Sequence, residues 1–171
     1  MIHFLLAALL LSSSFVFGTL PAPRESRLRL FNTHTQEHID VVYRRDGVYD
    51  AKALDELDQF LRDWRVNKVK HYDPRLFDLL NELTAKAKLP DGEIHIICGY
   101  RTPGTNGQLR SASSAVAGKS LHMKAEAIDI RLPGVPTSRL RDTALALRRG
   151  GVGYYADSDF VHVDIGRVRR W

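Results

Sequence analysis

Apolar and polar positions alternate along Leu28-Arg29-Leu30-Phe31-Asn32 and again along Ile39-Asp40-Val41-Val42-Tyr43. That period of two predicts a pair of strands, joined through the polar stretch Thr33 to Gln36 and followed by a turn at Asp46-Gly47. The period then changes. Leu54, Leu57, Leu61 and Trp64, flanked by Phe60, follow an N-cap at Asp50 with helical spacing. Asp73-Pro74 starts a second helix, whose apolar face is Leu76, Leu79, Leu80, Leu83 and Ala87 and which ends before Pro90. Glu93 to Cys98 reads as a strand, Gly99 to Gly107 as a loop, and Asn106 to about Ala115 as a short helix. Ala125 to Arg131 is a strand by its alternation. Leu140, Ala144 and Leu147 mark a third helix closed by Gly150-Gly151. Val152 to Tyr155 and Phe160 to Ile165 form a closing hairpin around Ala156-Asp157-Ser158-Asp159. Strand pairs joined by short turns, with helices between them, predict an α+β fold: a mainly antiparallel central sheet with helices packed on it.

The first 23 residues stand apart. They carry no charged side chain, and Phe4 to Leu11 is an unbroken apolar run. The run is shorter than the roughly 18–20 residues of a membrane span but has the length of a secretory core segment. Residues 1–23 are therefore read as a secretory signal or anchor, with small residues at Gly18 and Ala22 as cleavage positions, and 24–171 as one domain. The n-region has no Lys or Arg, so the signal is an unusual one. No stable membrane span is expected after cleavage.

Composition narrows the class. Apolar residues are 44% and charged residues 26%, which is ordinary globular usage and excludes wholesale disorder. A single cysteine, Cys98, excludes an intramolecular disulfide framework and any cysteine-rich zinc finger; in its apolar strand it reads as an inert buried thiol. The net charge of +5 favours an anionic neighbour of some kind. Arg148-Arg149 and Arg167 to Arg170 could serve as a phosphate patch, but export argues against a nucleic-acid partner. Attraction to anionic envelope polymers, or a solvated face, accounts for them.

Of the seven histidines, His34, His38, His71 and His95 read as structural or solvated, and His3 belongs to the leader. His122 and His162 differ by their company. His122 enters the strand that contains Asp129, and the period of two points Asp129 away from Ile128 and Ile130, onto the face of Ala127 and Arg131. A carboxylate in mid-sheet needs a cation, a donor or a metal. His162 lies between Val161 and Val163 and faces opposite to them. Two imidazoles and a carboxylate make a three-ligand zinc set with a fourth position open to water. Spacing alone supports equally a pairing of Asp129 with Arg131 or Arg101 and two ordinary strand histidines.

The set Gly99-Tyr100-Arg101-Thr102-Pro103 with Asn106, then Ser120-Leu121-His122, Ala127-Ile128-Asp129 and Asp159-Phe160-Val161-His162-Val163-Asp164 resembles the LAS zinc peptidases, the lysostaphin, D-alanyl-D-alanine carboxypeptidase and hedgehog-type domains. Within them it is most similar to the murein endopeptidase K-like branch, from about Leu28 to Trp171. The resemblance implies one zinc ion on His122, Asp129 and His162, with Asp159 as general base and Arg101 as a substrate or oxyanion contact. It implies hydrolysis of peptide cross-links in peptidoglycan by a metal-activated water, in the periplasm or envelope. It leaves open which of three murein bonds is cut. A metal-containing peptidoglycan-binding module of the same fold, without turnover, is the alternative; the acids beside His162 favour the enzyme. Tyr100 reads as packing, and Asn106 as a turn residue or a substrate contact. The chain departs from many relatives at Lys124-Ala125-Glu126, where they carry a freer glycine.

Overall fold

The computed structural model describes residues 24–113 and 116–171, so the leader reading of residues 1–23 lies outside the described residues. The chain runs β1 (Glu25–Asn32), β2 (His38–Arg45), β3 (Val48–Tyr49), α1 (Ala51–Phe60), α2 (Pro74–Lys86), β4 (Ile94–Cys98) and α3 (Pro103–Ala112). A 3-10 turn (Leu121–Lys124) follows, then β5 (Ala127–Arg131), α4 (Thr137–Leu147), β6 (Gly151–Tyr155), β7 (Phe160–Asp164) and β8 (Arg169–Arg170). Among the described residues the strands form one sheet in the order β3-β2-β1-β4-β5-β7-β6-β8. It is antiparallel except at β1–β4 and β6–β8. The predicted α+β architecture is the one observed.

The predicted caps hold α1 and α2: Asp50 accepts from the Ala53 N–H, and Asp73 from the Arg75 N–H beside Pro74. Leu57, Leu76 and Leu80 are fully buried with Ile128, Ile130 and Val161 from the sheet. That packing consumes one face of β5 and β7. The residues between, Asp129 and His162, lie directly opposite one another in the ladder and look the other way. The apolar face is thus spent on the core, and the other face carries Asp129 and His162.

Three boundaries differ from the sequence reading. First, α1 stops at Phe60, and Trp64, 39% exposed, lies beyond it and stacks on His34. The chain leaves the helix so that Asp63, wholly buried, can accept from the Thr102 N–H at 2.8 Å and its hydroxyl at 2.9 Å. Second, the stretch read as loop to Gly107 is already helical from Pro103, with Thr102 as N-cap and proline at the first turn. Third, Gly150-Gly151 does not close α4. Arg148 does, in the left-handed region at φ 54°. The glycines answer to Asp164 instead: a Cβ on Gly150 would lie 1.7 Å from the Asp164 carbonyl, and one on Gly151 would lie 2.5 Å from its Oδ2.

Candidate metal centre

His122 reaches the site from the 3-10 turn. Ser120 caps that turn, its Oγ accepting from the His122 N–H at 3.3 Å and from Arg101 Nη2 at 2.9 Å. The turn ends at Ala125, fully buried in the left-handed region at φ 58°. This is the position where a glycine would be free, and here alanine bears the strain. The turn and the sheet bring three donor atoms together. His122 Nε2 is 3.2 Å from Asp129 Oδ1 and 3.1 Å from His162 Nδ1, and His162 Nδ1 is 2.8 Å from the same carboxylate oxygen. Donors bound at about 2.0–2.1 Å to a tetrahedral ion lie about 3.3 Å apart. The observed triangle is close to one face of that tetrahedron.

The far side of each ring is tied down. His122 Nδ1–H donates to the Gly99 carbonyl at 2.8 Å, and His162 Nε2–H donates to Asp164 Oδ2 at 3.1 Å. Each bond fixes the tautomer whose free nitrogen points into the triangle. Asp164 is wholly buried and fully committed: its Oδ1 also accepts from the N–H groups of Gly151 and Gly166, and Arg169 spans both of its oxygens. Burial would raise its pKa, but the His162, Arg169 and backbone donors hold it well below the usual carboxylate range. Burial likewise disfavours charge on His122 and Asp129. The Asp129 carboxylate nevertheless carries His122 up to about 10, and the two imidazoles hold Asp129 below the ordinary range. A cavity of about 280 Å³ opens over the triangle, with Arg101, Lys119, Tyr155, Phe160 and Trp171 among its walls.

Arg101 lines this cavity. It bonds Ser120 rather than Asp129, and its buried Nε finds no partner among the described residues. Asp159 is not brought to the triangle. Its backbone is left-handed at φ 50°, and its side chain, 60% exposed, pairs with Arg131 at 2.8 Å and with the Thr137 hydroxyl. Asn106 is buried on α3 and holds the Ala117 carbonyl at 3.1 Å, so it fixes a loop. Cys98 is half-buried rather than buried in the core, and its Sγ lies within 4.8 Å of donor atoms of His122 and Asp129. Sequence reasoning also gave no role at the site to Asp63, Ser120, Arg169 or Trp171; Asp63 and Trp171 act through contacts distant along the chain, to Thr102 and Tyr155. Within the basic stretches, Arg169 is taken up by Asp164 and Arg149 by Glu82.

Residues 21–171 match the family described as peptidoglycan L,D-endopeptidase MepK. The chain is 43% identical over 157 residues to the peptidoglycan L,D-endopeptidase MepK of Escherichia coli K12, covering 91% of this chain and 85% of that protein. It is 38% identical over 156 residues to the probable peptidoglycan L,D-endopeptidase MepK of Haemophilus influenzae, covering 91% and 84%.

Proposed function

We propose that this chain, which belongs to the peptidoglycan L,D-endopeptidase MepK family, holds one zinc ion on His122, Asp129 and His162 and cuts an L,D peptide cross-link of peptidoglycan in the cell envelope. That it is a peptidoglycan-hydrolysing peptidase follows from its family. One observation carries the finer reading: three buried donors form a triangle of zinc dimensions, and each imidazole is oriented by a second partner behind it.

Zinc bound there would supply an acidified water and a Lewis acid for the scissile carbonyl. The chain's own groups do the rest. Arg101, a cation on the cavity wall, receives the carbonyl oxygen as it gains charge. Asp164 keeps His162 in the correct tautomer and moves no proton, because every lone pair it has is engaged. Asp159 takes the water's proton and passes it to the leaving amine. Among the described residues the cavity walls offer no carboxylate besides Asp129. Asp159 is held away from the site by Arg131 and Thr137, and serving as base requires it to give up both contacts. Residues 1–23 supply the export signal in this reading. Among the described residues no helix is long and apolar enough to cross a membrane.

The test is mass spectrometry of purified cross-linked muropeptides after incubation with the protein. Loss of the L,D-linked species, abolished by chelator and restored by zinc, is the result expected. Cleavage that persists in chelator would overturn the metal reading.

A further inference from the structure

Trp171 stands beside the triangle, and the sequence reading gave it no role. Its main chain extends the β6 edge, donating to the Val152 carbonyl at 3.3 Å and accepting from the Tyr154 N–H at 3.1 Å. That registration lays the indole over Gly153, which in turn is paired with His162. A Cβ on Gly153 would lie 2.7–2.8 Å from three atoms of the indole, so the missing side chain is the ring's seat. The indole Nε1–H donates to the Tyr155 hydroxyl at 3.0 Å, and the Arg169 guanidinium lies 4.9 Å from the ring centroid. The His162 ring is 5.1 Å away.

A side chain fixed this thoroughly is still 50% exposed, and it forms part of the wall of the cavity over the triangle as well as of a second hollow beside Tyr154 and Arg141. A half-bare indole forgoes burial worth having, while one already immobilised loses little further entropy when something covers it. Tyr155 and Phe160, stacked at 4.4 Å, continue the same wall. The cations Arg101 and Lys119 line the cavity as well.

We infer that Trp171 is a specificity-determining contact for the substrate: its exposed ring packs on the aliphatic carbon chain of the residue adjoining the scissile amide. The inference rests on the peptidase reading above. The indole lies 5.1 Å from a proposed ligand ring, so a residue packed on it flanks the cut bond. An apolar chain meets the aromatic wall, and an anionic group on the same residue has Arg101 and Lys119 to meet.

Two measurements test this. The chain has two tryptophans, and Trp64 lies outside the cavity walls, so Trp64→Phe leaves Trp171 as the sole reporter. Rapid mixing of that variant, with its metal, against a purified cross-linked muropeptide should change the indole emission saturably within the first turnover. In the otherwise native protein, Trp171→Ala should raise KM at least about tenfold while kcat moves far less, with zinc content unchanged, and Trp171→Phe should recover most of the loss. An unchanged KM with zinc lost would make Trp171 a prop for His162 and overturn the inference. So would a silent emission in a variant that cleaves the muropeptide. Failure of the native protein to cleave any muropeptide would sink the peptidase reading, whereas the emission titration reads the contact without turnover.

Discussion

A thiol and an imidazole both lie near His122 and Asp129, and they differ in what stands behind them. His162 Nδ1 is 2.8 Å from Asp129 Oδ1, and its other nitrogen is anchored on Asp164. Cys98 Sγ makes a 3.6 Å contact to the Gly99 carbonyl, the group that accepts from His122 Nδ1. Cys98→Ser is therefore expected to retain zinc at full occupancy, and His162→Ala to lose it, by elemental analysis of the purified proteins. The reverse pattern would move the third ligand to the thiol. Asp159 is the second case. Its side chain is mostly exposed, so Asp159→Ala should keep fold and zinc while turnover of muropeptides falls at least about 100-fold. A near-native rate would remove it as the base.

At the level of elements, what the sequence made legible was local. The caps at Asp50 and Asp73, the apolar faces through Leu57 and Leu80, and the opposed strands carrying Asp129 and His162 all follow from short-range pattern. Misreadings arose where a distant residue decides. Gly150-Gly151 looks like helix-closing chemistry, yet it is glycine because Asp164 occupies the space a side chain would need. The β4 ladder skips Ile97, so that Cys98 rather than Ile97 stands opposite Asp129, and no spacing rule shows such a bulge. The parallel pairings of β1 with β4 and β6 with β8 are equally non-local. Thr102-Pro103 was a readable helix start, obscured by the glycines that follow it. The end of α4 carries its own prediction. Arg148 is exposed and left-handed, a conformation that costs an L-residue energy and glycine almost none. Arg148→Gly should raise stability by about 0.5–1 kcal/mol, read from the urea midpoint. An unchanged or lower midpoint would mean that the arginine's own contacts outweigh the strain.

Across the whole molecule, the proposed metal centre and the far sheet edge share one buried charge. Asp164 ends β7, takes the Gly151 N–H of β6 and the Arg169 guanidinium of β8, and holds the His162 ring. The edge that seats Trp171 and the His162 imidazole that faces the cavity therefore depend on the same carboxylate. Its folded pKa lies below the unfolded value of about 3.9, because the His162, Arg169 and backbone donors outweigh the cost of burial. The sign follows from linkage. The unfolded chain binds the proton first as pH falls, so the stabilisation is complete above the unfolded pKa and is lost progressively below it. A neutral amide in place of this carboxylate carries no such charge, so Asp164→Asn should be less stable than the native chain at pH 7, and the gap should narrow steadily as the pH is lowered through about 4 toward about 3. Urea midpoints of both proteins across that range, with chelator in both so that metal release does not contribute, are the measurement. A gap of constant size would show that the shape of the side chain, rather than its ionisation, joins the sheet edge to the site.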